Sequence, residues 1–220
     1  MPGSARSSAA SARPAARALA PVESRANRRK RETEARLLEA ALGVFVARGY
    51  DGATTGEMAR AADVAAGTFY LHFRDKRAAY ERLAAHAAHD LLARWRAALR
   101  PGMRVADRIV TGLRLAADFW RADRERARLL LEGGPSFGSE GHLRFVDEIA
   151  AVLATGGRRR RRPLPARALS LLVAGLGIEL GRVIVARPEP DAEVDELIRL
   201  VRRSLVHLDP TESVNRRARS

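Results

Sequence analysis

Leu37, Leu38, Ala41, Val44 and Phe45 recur at helical spacing, and Gly49 is placed to stop the helix they predict from about Glu34. "TTGE" follows. Thr54 with Glu57 three residues later predicts a capping box that opens a second helix, running to about Ala62. "ADV" makes a tight connection to a third short helix, from about Ala65 to Phe73. Asp75 is placed to cap a fourth. Its apolar positions Leu83, Ala87, Leu91, Leu92 and Trp95 carry it to about Arg100, where Pro101-Gly102 ends it.

The same period continues downstream. It predicts helices over Ala106–Arg121, Arg124–Leu131 and His142–Ala154, with a loop from Gly133 to Gly141, and then over 164–186 and 191–207. In the last of these, Val194, Leu197, Ile198, Val201, Leu205 and Leu208 form one apolar stripe. Its acids stand at the start and Arg202, Arg203 and His207 at the end, which complements the helix macrodipole. Helix 164–186 is apolar nearly all round and is expected to be buried. No run alternates with the period of a strand, and no internal repeat is present. The expectation is an all-α chain of about nine helices in two parts, 32–76 and 77–208, between a disordered basic arm (1–31) and a flexible tail (209–220).

Composition narrows the function. The chain has 220 residues, enough to bury a core, and no cysteine, so disulfides and thiolate metal sites are excluded. The net charge of +14 makes nucleic acid the first partner to consider and an anionic membrane surface the second. Half of that charge falls in residues 1–31, where eight basic residues face Glu23 alone. This stretch is Arg-, Ala- and Ser-rich like a transit peptide, but it lacks the continuous apolar region of a secretory signal. The most apolar segment, 168–186, contains Glu179 and Arg182, so no membrane span is expected.

Two short helices joined by a three-residue turn predict a helix-turn-helix. Its packing needs a small residue where the helices touch, met by Ala59, a chain reversal near Asp63, and an inward apolar residue on the second helix, met by Phe69. Met58, Ala62, Val64 and Phe73 would complete a small core with Phe45. The segments "LLEAALGVFVARGY", "TTGEMARAADV" and "AAGTFYLHFRDK" together resemble the DNA-binding domain of the TetR family of bacterial transcription regulators. The resemblance covers about 45 residues; the remainder matches the family only in its all-helical architecture.

That resemblance implies a DNA-contacting surface. Tyr70 and His72 would hydrogen-bond phosphates, Lys76 would do the same from the start of the fourth helix, and Thr55 would touch phosphate as it opens the second. Ala66, Gly67 and Thr68 stand where the family approaches base edges; small residues let the backbone come close, and threonine can bond a base or meet a thymine methyl. Two positions depart from the family's pattern. Asp63 replaces the usual glycine, and Ala65 replaces a serine or threonine cap, at a cost of about 1 kcal/mol to the third helix. Arg28 and Lys30, in the basic arm, are candidates for phosphate or minor-groove contact.

The resemblance also implies a C-terminal domain that dimerises and binds a small molecule. Helices 164–186 and 191–207 would form the homodimer's four-helix bundle, with Gly175, Gly177 and Gly181 allowing close approach. Trp95, Phe119, Trp120, Phe137 and Phe145 are the aromatic candidates for an effector pocket. The expected function is a cytoplasmic, ligand-responsive repressor on a pseudo-palindromic operator, with no cofactor, metal or membrane partner and no enzymatic activity. Two other classes stand beside it. A basic, sequence-indifferent DNA-binder would need no recognition helix. A helical hydrolase would use Ser136 in "GPSFG", which lacks the strand-to-helix turn such a nucleophile needs. His86 and His89 give only part of a metal site, and the arginine run 158–162 reads as a solvated loop.

Overall fold

Ser24 accepts a hydrogen bond from the Asn27 backbone N–H (3.2 Å) and starts the first helix well ahead of Glu34. The computed structural model describes residues 24–131, 139–154, 165–187 and 190–205, and all the regular structure among them is helical. The helices are α1 (Arg25–Gly52), α2 (Thr55–Ala61), α3 (Ala66–His72), α4 (Lys76–Ala98), α5 (Val105–Ala122), α6 (Arg124–Leu131), α7 (Ser139–Ala154), α8 (Ala166–Ala186) and α9 (Asp191–Leu205). The expected all-α class therefore holds.

One boundary is corrected. Arg25 to Arg31 are helical, not part of a disordered arm. The apolar spacing begins only at Leu37, the first buried residue, so it carries no signal for the exposed turns of good helix formers ahead of it. The rest of that arm, 1–23, lies outside the described residues, as do the tail 209–220, Ser136, Phe137 and the run 158–162. At the other end, Gly49 interrupts α1 with φ 69°, a left-handed conformation that favours glycine, and the helix resumes for one short turn.

Two apolar cores result. Leu37, Ala41 and Phe45 of α1 meet Met58 and Ala59 of α2 and Phe69 of α3. The second core joins α4, α5, α7, α8 and α9 through residues such as Trp95, Ile109, Ile149, Ile184 and Ile198. The expected division at residue 76 is not a break in packing. Ala79, Tyr80 and Leu83, in the first turns of α4, belong to the N-terminal core, while Leu92 and Trp95 belong to the other. Leu129 of α6 also reaches into the N-terminal core.

Tyr80 locks this junction. Its ring packs edge-on against Phe45 and Tyr50, and its hydroxyl donates to the Leu129 carbonyl at 3.0 Å. Burial, followed by the proximity of Tyr50, pushes the phenol from its ordinary 10.0 up to about 12. A raised folded pKa means that the folded state keeps a proton the unfolded state has lost. This stabilisation is complete below pH 10 and disappears as pH rises to about 12. Urea midpoints should fall between pH 10 and 12, and Tyr80→Phe should flatten that fall while lowering the midpoint at about pH 8.

α8 is long and apolar enough to cross a membrane by length and composition alone, with mean hydropathy 1.9. Here it is a core helix, packed against α5, α6, α7 and α9 and burying Leu169, Val173, Leu180 and Ile184. It is not buried all round as its composition suggested, because Leu171 and Leu172 are each 48% exposed. Cations from elsewhere in the chain cap three helix C-termini. Lys76 serves α1, Arg108 donates to Leu153 O at the end of α7, and Arg124 donates to Ile184 O and Arg187 O at the end of α8.

Candidate nucleic-acid interface

The α2–α3 unit is built by local chemistry. Thr54 Oγ1 accepts from the Glu57 backbone N–H (3.2 Å), and Glu57 Oε2 accepts from the Thr54 backbone N–H (3.2 Å) and hydroxyl (2.9 Å). These bonds from Thr54, with Arg48 and Arg60 adding less, hold the Glu57 carboxyl below its ordinary range. α2 ends at a turn in which Asp63 takes φ 52°, so aspartate supplies the left-handed reversal that glycine would otherwise provide. Val64 N–H then donates to Ala59 O (3.0 Å), closing the turn over the small residue expected at the helix contact. Ala65 caps α3 with no side-chain bond, as its methyl requires.

This geometry turns one face of α3 inward, with Phe69 buried, and another outward. Ala66 and Gly67 are exposed, Thr68 is half-buried, and Tyr70 is 58% exposed. The Tyr70 hydroxyl lies 2.9 Å from Thr55 Oγ1, so the chain brings together two hydroxyls fifteen residues apart. Each hydroxyl can both donate and accept, and the pair forms a polar point at the junction of α2 and α3. Arg28 and Lys30 lie on the exposed first turns of α1, where Arg28 pairs loosely with Glu32 (3.9 Å).

Two of the expected contacts are placed differently. Lys76 does not present a free ammonium. Its Nζ donates to Tyr50 O (2.9 Å), Asp51 O (2.9 Å) and Ala53 O (3.2 Å), and it sits 4.8 Å from the centre of the Tyr50 ring. An ammonium has three donors, and all three are spent on the end of α1. Lys76 therefore ties the segment entering α2 to the first turn of α4. Lys76→Ala should cost about 1–3 kcal/mol by stripping donors from these carbonyls. It should leave the salt slope of DNA binding unchanged, whereas loss of a phosphate-contacting lysine would lower it by about 1. Denaturation and a salt titration of the variant check both. His72 is half-buried against Phe73, and its Nδ1 is buried with no hydrogen-bond partner among the described residues, which leaves the other edge of the ring for a phosphate.

One residue on this face carried no sequence signal that pointed outward. Leu71 is 77% exposed beside Tyr70. It reads as one more apolar position until the packing of Phe69 and Phe73 fixes which side of α3 faces the core.

In the C-terminal core, a cavity of about 50 Å³ lies between α4, α5, α7 and α8. Trp95, Trp120 and Phe145, three of the aromatic candidates, line it. Phe119 does not; it is half-buried, stacked edge-on to Trp120 and covered by the Arg126 guanidinium. The aromatic candidates left out the small residues that keep the space open, Gly112, Ala116, Ala174 and Gly177. His86 and His89 are both exposed on α4, and among the described residues no three potential metal ligands come together.

Residues 37–83 match the family model described as bacterial regulatory proteins, tetR family. A relative from Pseudomonas putida, named uncharacterized HTH-type transcriptional regulator TtgW, is 41% identical over 61 residues. That stretch is 28% of this chain and 46% of the relative, so the chain spans less than half the relative's length. A tetR-family regulatory protein from Rhodococcus RHA1 superimposes with a TM-score of 0.56 at 24% identity, over 78% of this chain and 96% of that one. The transcriptional regulator FadR from Bacillus subtilis, solved with stearoyl-CoA, does so with a TM-score of 0.59 at 15% identity, over 76% and 96%. At these identities the structural likeness speaks for the fold.

Proposed function

We propose that this chain, which belongs through its helix-turn-helix domain to the TetR family of bacterial transcriptional regulators, is a cytoplasmic repressor that binds a pseudo-palindromic operator as a homodimer and is released by a small molecule. The observation that carries the reading is the outward face of α3. Exposed Ala66 and Gly67 and half-buried Thr68 lie one turn from the Tyr70–Thr55 hydroxyl pair. The small residues let the backbone approach base edges, and the hydroxyls fix the register on phosphates. Arg28 and Lys30, on the exposed helical start of α1, add phosphate attraction without choosing sequence.

The homodimer reading is supported by the apolar side chains that one copy leaves open, Leu171 and Leu172 on α8 and Leu200 on α9, each 48% exposed. A two-fold pair would place its recognition helices about 34–36 Å apart, one turn of DNA. Release by a ligand is supported by the connection between the two cores. Trp120 and Leu131 close on Gly181, Leu129 of α6 holds the Tyr80 hydroxyl, and Lys76 at the head of α4 holds the end of α1. An occupant that shifts α6 or α4 changes the placement of α2 and α3.

The test is fluorescence anisotropy on the DNA flanking the chain's own gene, over a salt series, beside scrambled DNA. Tight binding to one palindromic site, with a stoichiometry of two chains, is the expected result. Equal and steeply salt-dependent binding to every DNA would reduce the protein to a charge-driven, sequence-indifferent binder.

A further inference from the structure

The cavity between α4, α5, α7 and α8 offers a ligand apolar surface and, among the described residues, no charge. Among the described residues every lining side chain is apolar, and their only side-chain N–H groups are those of two indoles. Both are already committed. Trp95 Nε1 donates to Arg108 O at 2.9 Å, and Trp120 Nε1 donates to Gly177 O at 3.0 Å. The buried arginine of α5, Arg108, is not in the lining, and its guanidinium donates to Leu153 O at the end of α7. A carboxylate or phosphate placed here would lose its water and find no described side chain to replace it, which is a heavy penalty for an ion.

Size narrows the occupant further. One water requires about 10–15 Å³ on this measure, so 50 Å³ admits the bulk of roughly three to five waters. A space walled by leucine, isoleucine and aromatic side chains stays dry, and one of about 150 Å³ takes up benzene, so the smaller volume here sets one ring as the upper limit. We infer that the cavity binds a small, uncharged, apolar molecule no larger than about one aromatic ring, and that the charged end of a larger amphiphile gains nothing from it. This deepens the effector reading above and rests on it only for the consequence at the operator.

The chain provides its own reporter. Its two tryptophans, Trp95 and Trp120, both line the cavity, so all indole emission reads the site. Toluene is the probe and benzoate its charged counterpart of the same ring, each titrated against the full chain at about pH 7, where benzoate is ionised as any carboxylate is. Toluene is expected to shift the tryptophan emission saturably and raise Tm, with benzoate roughly a hundredfold weaker or silent. Ala174→Leu should abolish the toluene response by filling the space. Gly177→Ala is the milder companion, because its Cβ would meet only Ala116 Cβ at 3.9 Å, and it should weaken toluene several-fold while keeping native helical circular dichroism. Benzoate binding as tightly as toluene, or a toluene response unchanged in both variants, would overturn the inference, as would no response to toluene at all. Operator anisotropy in the same samples separates the two readings. Toluene binding that leaves operator affinity unmoved upholds the cavity's ligand class and removes the effector role. Intact operator binding without any toluene response removes the ligand class and leaves the DNA-binding reading standing.

Discussion

Gly112→Ala is expected to lose about 3 kcal/mol of stability, although alanine is the better helix former. A Cβ at Gly112 would stand 2.5, 2.6 and 2.9 Å from three atoms of the Trp95 ring. The ring cannot swing aside cheaply. It is 3% exposed, and its N–H is anchored to Arg108 O one turn from Gly112 on the same helix. Overpacking costs about 1–3 kcal/mol, and breaking a buried indole hydrogen bond costs about 1–3 more. The gain in helix propensity returns about 1 kcal/mol. For a chain of this size the net change lowers Tm by roughly 6–12 °C. Gly43→Ala is the control, since a Cβ there meets nothing within 4 Å among the described residues on an exposed face of α1, and it should hold or raise Tm. A Gly112→Ala variant that melts with the wild type would show that α4 and α5 are not packed as closely as this contact requires.

Removing the hydroxyl pair at the α2–α3 junction is expected to have the largest effect on operator binding. Tyr70→Phe and Thr55→Val keep the shape of each side chain and delete its oxygen. A hydrogen bond to a charged group contributes about 1.5–3 kcal/mol, so each variant should bind the operator roughly ten- to 150-fold more weakly. The hydroxyls are 2.9 Å apart and share one proton bridge in the free protein, so the double variant should lose less than the product of the two single losses. Anisotropy titrations of the four proteins on one operator measure that coupling. Because the tyrosine is 58% exposed, the single variants should melt within a degree or two of the wild type, so a large drop in Tm would reassign the pair to folding.

Much of this molecule is written locally. The Thr54–Glu57 capping box, the Asp75 cap with its 2.7 Å bond from the Ala78 N–H, and the polarity of α9 each depend on residues within a turn or two. These are the distances over which helix chemistry acts, and the elements follow from them. The helix-turn-helix was legible for the same reason, since its small residue, reversal and inward aromatic fall within one short stretch. So was the outward placement of Ala66, Gly67 and Tyr70 once Phe69 was assigned to the core.

What the chain's local pattern left open depends on partners that meet only after folding. Lys76 reads as a surface cation until Tyr50, Asp51 and Ala53, more than twenty residues earlier, present three carbonyls to it. The cavity reads as five aromatics, although its volume depends on where glycines and alanines of α5 and α8 face one another, and Phe119 falls on the wrong side of its helix to take part. The tie between α4 and α6 that Tyr80 makes on Leu129 spans 49 residues. The sequence by itself determined the order of the helices, the caps of α2 and α4 and the inward place of Phe69, but not the exposed first turns of α1 or the outward side of Leu71. Which polar atoms remain free for DNA, and what kind of molecule the interior can hold, was decided by the tertiary structure, because hydrogen bonds and voids belong to the pairs of helices that close on them.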